Sequence, residues 1–427
     1  MFRKIFDELV SWKNQSYRKP LIIQGARQVG KTWIMKEFGK LCFEKVVYIN
    51  FESSVRLQQI FQDDFSITRI LSIFEIESGE KITPDDTLII LDEIQEAEKG
   101  LTALKYFYEN APDYYIMAAG SLLGISIQQN STFPVGKVDM LDLYPMSFEE
   151  FLINAGEKLL AKALQNREWQ IIEPFHDKLI YHLRLFYFVG GMPEAVQMYL
   201  NTKDFIKVRK VQSNILSGYE NDFAKYAPIE IVPKIRLVWQ SILAQLSKEN
   251  KKFIYGQVKK GARAKEFEAA INWLVNTGLI LKSIHVVKPG MPLKSYANFD
   301  MFKLYFIDVG LINAMAGMSE KILLDKNKII TEYKGALTEQ FVAQELKQNY
   351  ELYYWTSKSG TSEVDFVLQA DQNIVPIEVK AEENLKAKSL RVFEEKYATA
   401  SAKRFSMSKY REEDWLVNIP LYAVFTL

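Results

Sequence analysis

Two short segments of the sequence combine residue types that bind phosphate and divalent cations. The first is a loop with two glycines followed by lysine and threonine, made of Gly25, Ala26, Arg27, Gln28, Val29, Gly30, Lys31 and Thr32. In a G-x-x-x-x-G-K-T loop the glycines allow a tight turn, so that backbone N–H groups converge on a phosphate at a helix N-terminus. Lys31 would contact the β and γ oxygens of a triphosphate, and Thr32 would bind its Mg²⁺.

The second segment is an apolar run, residues 87–91, that ends in Asp92 and Glu93. Such a run is typical of a buried parallel strand that presents carboxylates at its C-terminal end. Asp92 would hold the Mg²⁺ through its water shell, and Glu93 would be the general base for the attacking water. The other interpretation is a core strand that ends in a solvated turn. Beside the phosphate-binding loop, the pair indicates a hydrolase rather than a passive nucleotide binder.

A third apolar run, residues 114–119, ends at Gly120 and Ser121. Ser121 could contact the γ-phosphate or the attacking water, or it could simply belong to a Gly-Ser turn. The remaining strand and helix signals of this region alternate along the chain, at residues 21–23, 33–38, 46–52 and 101–109. Strands that alternate with helices predict a right-handed, doubly wound parallel sheet.

These segments resemble a bacterial and archaeal family of AAA-type ATPases whose members carry a C-terminal domain of unknown function. The likeness covers nearly the whole chain, at residues 21–32, 89–93, 133–137, 143–151, 190–195, 303–311 and 334–341. It implies ATP as the nucleotide and a sensor role for Ser121. The family pattern has arginine where Lys137 stands, and lysine lacks the planar fork of guanidinium. No arginine finger is therefore assigned.

Composition bounds the class of protein. A chain of 427 residues should hold two to four domains, and 48% hydrophobic with 25% charged residues is an ordinary globular balance. Charges interrupt the N-terminal apolar residues, and no apolar run approaches the length of a membrane span, so we expect a cytoplasmic protein without a membrane partner. One cysteine and three scattered histidines argue against disulfides and against a Cys/His metal site. The net charge of +1 leaves any nucleic-acid binding to local patches.

The middle of the chain predicts two modules. Residues 149–226 have helical periodicity and look like the helical lid that follows an ATPase core. Residues 233–317 predict three helices, at 235–247, 258–261 and 264–277, followed by strands at 279–287 and 303–308. This is the order of a winged-helix module.

The winged-helix segment is rich in basic residues, Lys303 among them. Those beside the second and third helices are the candidate DNA contacts: Lys259, Lys260, Arg263 and Lys265. A local excess of positive charge suits the phosphates of double-stranded DNA. Winged helices also serve as modules for protein contacts and oligomer packing, so that alternative stays open.

The C-terminal region places acidic residues on a predicted hairpin of strands 363–368 and 374–380. With Ala370 to Asn373 as its loop, Asp365 faces Glu378 across the ladder, and Lys380 shares a face with Glu378. Asp365, Glu378 and the Val379 carbonyl could hold a second Mg²⁺, with Lys380 orienting a water.

A preceding helix brings Glu339 as a further candidate ligand for this metal ion. The order of helix, hairpin and helix resembles the PD-(D/E)XK nuclease fold, with the leading proline absent. The alternative is a salt-bridged trio in which Lys380 neutralises the strand carboxylates and no metal takes part.

Together these features predict an α/β chain with an AAA/ASCE-type P-loop core at 1–150, a helical lid at 151–230, a winged helix at 231–318 and a nuclease-like domain at 325–427. The first functional hypothesis is a Mg²⁺-dependent ATPase that acts on DNA and carries a candidate nuclease. The second is a regulatory ATPase that switches homo-oligomer or partner contacts, with a non-catalytic C-terminal scaffold.

Overall fold

The computed structural model describes residues 1–121, 133–247, 252–324, 331–381, 387–399 and 402–427. The chain divides into two compact units. The first comprises Met1–Tyr144 with Asn276–Gly278, and the second comprises Pro145–Val275 with Leu279–Leu427. The segments that the sequence assigns to a lid, a winged helix and a nuclease-like domain fall almost entirely within the second unit.

The first unit contains a parallel sheet, as the alternation of strands and helices predicts. Its strands are β1 (Leu21–Gly25), β2 (Lys45–Asn50), β3 (Thr87–Asp92), β4 (Tyr115–Ser121) and β5 (Asp139–Asp142). The strand order is β2-β3-β4-β1-β5, and every pair of neighbours is parallel. Every residue of β3 is buried, which is why its sequence is a continuous apolar run rather than an alternating one. The confirmed fold is a P-loop α/β sheet with β4 between β1 and β3.

The helices of this unit are α1 (Ile5–Lys13), α2 (Lys31–Cys42), α3 (Val55–Gln58), α4 (Ile67–Ser78) and α5 (Gly100–Asn110), with 3-10 turns at Phe51–Ser53 and Ile94–Glu96. Apolar side chains of β2, β3, α4 and α5 form one buried cluster on the sheet. Because parallel strands end at the same edge, the sheet brings the ends of β1, β3 and β4 together. That edge carries the residues singled out in the sequence.

The second unit begins with helices α6 (Phe148–Asn154), α7 (Lys158–Gln165), α8 (Trp169–Ile172), α9 (His176–Val189), α10 (Pro193–Thr202) and α11 (Phe205–Tyr226), with a 3-10 turn at Glu173–Phe175. Helix α6 starts with a capping box, in which the side chains of Ser147 and Glu150 each accept the other's backbone N–H. Helical periodicity in this part of the sequence therefore predicts its secondary structure correctly.

Helices α12 (Val232–Leu246), α13 (Tyr255–Val258) and α14 (Ala264–Asn276) follow, then strands β6 (Ile280–Val286) and β7 (Ala297–Phe306), with a 3-10 turn at Leu293–Tyr296, and helices α15 (Val309–Met315) and α16 (Glu320–Leu324). The predicted short helix at 258–261 is displaced. Helix α13 ends at Val258, and the next residue, Lys259, has β conformation. Gly261, with φ +78°, lies in the turn that follows.

The C-terminal elements are helix α17 (Thr331–Lys347), strands β8 (Tyr353–Thr356), β9 (Glu363–Ala370) and β10 (Asn373–Val379), helix α18 (Lys388–Tyr397), strands β11 (Ala402–Ser406), β12 (Arg411–Glu412) and β13 (Leu416–Pro420), and a 3-10 turn at Leu421–Thr426. Strands β9 and β10 form the predicted hairpin, with a tighter turn than predicted, because Ala370 pairs directly with Asn373.

One eight-stranded sheet runs through this unit in the order β12-β13-β11-β10-β9-β8-β6-β7. Strand β6 pairs antiparallel with β7 and parallel with β8. The hairpin β6–β7, which the sequence assigns to a separate winged-helix module, is therefore continuous with the C-terminal strands. Short-range signals do not reveal this pairing, since β6 and β8 are far apart in sequence.

A buried aspartate ties together two segments of the family resemblance. Asp308 accepts a hydrogen bond from the N–H of Gly191 at 2.6 Å and another from that of Leu311 at 2.9 Å. A Cβ on Gly190 would lie 2.3 Å from Asp308 Oδ1, so the close approach requires glycine there. Burial raises the pKa of Asp308 to about 6. Among the helices that the structure describes, none is long and apolar enough to cross a membrane.

Candidate functional site

The loop between β1 and α2 has the backbone that its glycines predict. Gly30 has φ +97° and caps α2, which begins at Lys31. A Cβ on Gly25 would lie 2.2 Å from the carbonyl oxygen of Leu143, so only glycine fits where the loop leaves the sheet. The loop thus leads directly into a helix N-terminus, where free N–H groups and the helix dipole favour an anion.

Lys31 is held inside this loop. Its Nζ donates hydrogen bonds to the carbonyl oxygens of Gly25 at 3.0 Å and Ala26 at 2.8 Å. Burial lowers the pKa of Lys31 to about 8, although the carboxylates of Glu93 and Asp92 act in the opposite direction. The ammonium is therefore mostly charged at neutral pH and is held by two carbonyl oxygens of the loop, either of which a phosphate oxygen could replace.

Thr32 and Asp92 come together as a metal site requires. Thr32 Oγ1 donates to Asp92 Oδ2 at 2.8 Å, and Tyr48 of β2 donates to the same oxygen at 2.7 Å. Lys36 lies over the ring of Tyr48, 3.5 Å from its centre. Hydroxyl and carboxylate oxygens are the ligands that Mg²⁺ prefers, so this donor set fits the ion that accompanies ATP. Tyr48 has no sequence signature, and motif analysis does not find it.

Glu93 follows Asp92 at the end of β3 with φ +51°, an uncommon conformation for a residue with a side chain. Gln95 donates a hydrogen bond from Nε2 to Glu93 Oε2. Gln95 thus holds the carboxylate of Glu93, the residue that follows Asp92 in the chain. Gln95 is a second residue that motif analysis misses. Its position two residues after Glu93 is the feature of the sequence that could have identified it.

Strand β4 ends at Ser121, which the register pairs with Gly25 of β1. Its backbone therefore lies at the same sheet edge as the phosphate-binding loop. Lys137 forms an ion pair with Glu109 at 3.0 Å and lies over the ring of Tyr108. With its ammonium so engaged, Lys137 offers no substitute for an arginine finger in this conformation.

The C-terminal carboxylates are arranged differently from the prediction. Glu339 of α17 accepts hydrogen bonds from Lys303 at 3.0 Å and from the hydroxyl of Tyr305. Lys303 also pairs with Glu363 at 2.6 Å. The sequence counts Lys303 among the basic residues of a DNA-binding face, but its side chain is fully buried. Lys303 and Tyr305 are two residues apart on β7, so their side chains lie on the same face of the strand. This spacing within an apolar run could have indicated that the lysine is buried.

Asp365 and Glu378 occupy neighbouring strands. The register runs to Phe366 opposite Ile377, so Asp365 and Glu378 are the next residues on each strand. Asp365 Oδ2 accepts the N–H of Val379 at 2.8 Å, and Glu378 Oε1 pairs with Lys380 at 2.5 Å.

Across the described residues, no three His, Cys, Asp or Glu side chains are grouped so that they could hold a metal ion. Glu339, which the sequence predicts as a metal ligand together with Asp365 and Glu378, accepts hydrogen bonds from Lys303 and Tyr305 in the structure. The second Mg²⁺ site stays a prediction. The aromatic neighbours Tyr354 and Trp355 are buried in the core rather than open to stacking on bases.

The candidate DNA contacts surround the turn between α13 and α14. Lys259, Lys260, Arg263 and Lys265 are all exposed to solvent. Within the described ranges, none of the four is in an ion pair with a carboxylate. They form a small positive surface at the turn between α13 and α14, before the hairpin β6–β7.

Comparison with known families assigns the first unit. Residues 17–152 match the model of an AAA domain, while residues 180–322 and 334–423 each match a domain of unknown function (DUF8612 and DUF4143). The N-terminal part of the chain is thus similar to AAA domains over the residues that contain the phosphate-binding loop. No curated protein matches the chain.

Several solved structures are similar to part of the chain. A Walker-type ATPase of Pyrococcus abyssi is 14% identical, with a TM-score of 0.46 over 74% of this chain and 95% of that one. The ORC2 protein of Aeropyrum pernix is 15% identical, with a TM-score of 0.38 over 74% and 94%. The ORC1 protein of the same organism, in complex with DNA, is 12% identical, with a TM-score of 0.28 over 74% and 91%. TM-scores below 0.5 do not establish a common fold, so the assignment rests on the AAA domain and the loop geometry.

Proposed function

We propose that the chain hydrolyses ATP with Mg²⁺ at the edge of the first sheet. The contact between Thr32 and Asp92 carries this proposal, because it brings the two predicted metal-binding oxygens within 2.8 Å of each other behind the phosphate-binding loop. Thr32 and Asp92 would hold the Mg²⁺, which would neutralise the negative charge of the phosphates. Tyr48 would keep the Asp92 carboxylate oriented toward that position.

In this proposal the remaining residues each have one task. The N–H groups of the loop and the ammonium of Lys31 bind the phosphates. Glu93 accepts the proton of the attacking water, after its carboxylate leaves the side chain of Gln95. Ser121, whose backbone ends the strand between β1 and β3, would contact the γ-phosphate.

The test is ATP turnover with saturating Mg²⁺ by the full chain and by two glutamate variants. Glu93→Gln should lower kcat by about 10²- to 10⁴-fold, the usual contribution of a general base, while ATP still binds. Glu96→Gln is the matched control, three residues further on, and should turn over at the wild-type rate. Equal rates for Glu93→Gln and the wild type would contradict the assignment of the base.

A second proposal concerns DNA, and it is supported by the positive surface at the turn between α13 and α14. Three helices followed by a hairpin present Lys259, Lys260 and Arg263 together, and such a surface suits phosphates of a duplex. We expect binding of double-stranded DNA that weakens steeply with salt, and ATP turnover that responds to it.

Fluorescence anisotropy of a labelled duplex tests this proposal. The triple variant Lys259→Glu/Lys260→Glu/Arg263→Glu should bind more weakly and lower the salt slope by about one for each phosphate contact removed. The control Lys158→Glu/Lys162→Glu changes two exposed lysines of α7 and should bind as the wild type does. Unchanged binding by the triple variant would leave the regulatory ATPase, acting on oligomer or protein contacts, as the better function.

The predicted nuclease activity finds no support in the arrangement of Glu339, Asp365 and Glu378. We therefore favour a C-terminal domain that serves as a scaffold, and we derive no cleavage step through a second Mg²⁺.

A further inference from the structure

One buried ammonium group in the second unit, that of Lys303, pairs with the carboxylates of Glu339 and Glu363. We call these two acids, together with Asp365 and Glu378 of the hairpin β9–β10, the carboxylate cluster. Lys303 enters it from β7 with no exposed side-chain surface, and Glu339 is 2% exposed. A lone ammonium in such a position would cost several kilocalories per mole unless it were paired. The stability of this region therefore depends on the carboxylates that pair with Lys303.

We propose that Lys303 is the resident cation of the carboxylate cluster, which makes the cluster a structural joint and not a metal-dependent nuclease centre. The ammonium joins three elements: it lies on β7, pairs with Glu339 of α17 and pairs with Glu363 of β9. It also lies over the ring of Tyr354 on β8, 4.9 Å from its centre. One side chain thus connects the hairpin β6–β7 to the C-terminal strands.

The distances are those of an ammonium and not of a coordination shell. Nζ lies 3.0 Å from Glu339 Oε1 and 2.6 Å from Glu363 Oε1, as in charge-assisted hydrogen bonds. Mg²⁺ requires oxygens at about 2.0–2.1 Å in near-octahedral geometry. Tyr305 donates a further hydrogen bond to the same Glu339 oxygen, which leaves that oxygen saturated.

Protonation of Lys303 is secure. Burial alone would lower its pKa, but the carboxylates of Glu339 and Glu363 outweigh that effect and raise the pKa well above 10.5. Across the physiological range the joint is therefore an ion pair and not a neutral amine beside an acid.

The other two acids of the cluster also have partners. Asp365 accepts the N–H of Val379, and Glu378 Oε1 accepts Lys380. A single buried oxygen, Glu378 Oε2, has no hydrogen-bond partner among the described atoms. This oxygen is therefore where a cation would bind if the proposal were wrong. A metal titration is consequently a severe test.

The sheet topology explains how Lys303 reaches the carboxylates of the cluster. Strand β6 joins the C-terminal sheet beside β8, which places β7 at its edge, with the face of Lys303 and Tyr305 against α17.

The first experiment is a Mn²⁺ titration of the nucleotide-free full chain, followed by the electron paramagnetic resonance signal of free Mn²⁺. The wild type should bind no Mn²⁺ at the cluster and should leave supercoiled plasmid DNA intact with Mg²⁺ or Mn²⁺. One Mn²⁺ bound per chain and lost in Asp365→Asn would overturn the proposal. Metal-dependent cleavage that is lost in Asp365→Asn and kept in Lys31→Ala would overturn it as well.

The second experiment measures thermal unfolding. Lys303→Met should lower the melting temperature by about 10 °C, because it leaves Glu339 buried without its cation. The control Lys294→Met, an exposed lysine of the same segment, should unfold like the wild type. A Lys303→Met chain that melts like the wild type would refute the joint.

The double variant Lys303→Met/Glu339→Met covers the case in which Lys303→Met does not fold. An apolar pair can replace a buried ion pair, so we expect the double variant to fold and to regain most of the lost melting temperature. If the double variant lost as much melting temperature as Lys303→Met and Glu339→Met together, the two residues would not be coupled, and this would contradict the proposal. ATP turnover measured on the same samples reports separately on the proposed function.

Discussion

Raising the pH should weaken ATP binding through the titration of Lys31. Burial lowers the pKa of this lysine to about 8 in the nucleotide-free chain, from 10.5 in the unfolded one. A bound triphosphate raises the pKa again, because it places negative charge beside the ammonium. ATP therefore binds the protonated form, and the pKa of the free protein sets the pH dependence.

The magnitude follows from this value. If only the ammonium form binds, the apparent Kd rises by the factor 1 + 10^(pH − 8), which is about 1.1 at pH 7, about 2 at pH 8 and about 11 at pH 9. The same titration of Lys31 affects the stability of the fold in the opposite direction. Between the two pKa values the unfolded chain binds more protons, so the free energy of unfolding rises with pH there. Titration of Lys31 therefore cannot weaken binding by unfolding the chain.

The assay is a titration with a fluorescent ATP analogue at several pH values between about 7 and 9, with thermal unfolding recorded in the same buffers. Lys31→Arg is the control, since a guanidinium stays charged throughout this range and should give a weaker but nearly pH-independent Kd. A wild-type Kd that stays constant up to about pH 9 would refute the reasoning, because Lys31 would then be either fully charged or uninvolved.

Three further substitutions test individual contacts. Gly25→Ala puts a Cβ 2.2 Å from the Leu143 carbonyl, and should cost about 1–3 kcal/mol in thermal denaturation and weaken ATP binding. Tyr48→Phe removes one donor from Asp92, and should raise the Mg²⁺ concentration for half-maximal turnover at least about 10-fold, whereas unchanged Mg²⁺ dependence would contradict its positioning role. Asp308→Ala leaves two buried N–H groups without acceptors, and urea unfolding should show a loss of about 2–6 kcal/mol.

The geometry of the proposed ATP site could be predicted from the sequence because its parts are local. Residues 25–32 carry both the turn and the ligands, and the run before Asp92 is apolar because β3 is buried on both faces. The same holds for the hairpin β9–β10, whose short turn sets the register of Asp365 and Glu378. In each case the residues that determine the geometry are close together in the chain.

Contacts between distant segments could not be predicted in the same way. Tyr48 and Asp92 meet because β2 pairs with β3, and Lys303 reaches Glu339 because β6 pairs with β8. A lysine inside an otherwise apolar run is read as a surface charge unless its buried partner is known. For this reason the sequence identified Glu339 as an acid that could bind a metal ion, and it did not identify Lys303 as the internal cation that pairs with it.

The central claim, that Glu93 activates water for ATP hydrolysis at this sheet edge, is tested most directly by a single-turnover experiment. Labelled ATP and Mg²⁺ are mixed with excess wild type or excess Glu93→Gln, and bound nucleotide is analysed over time. The account predicts that the wild type converts its bound ATP to ADP and that Glu93→Gln retains ATP. Conversion by both at the same rate, or by neither, would contradict it.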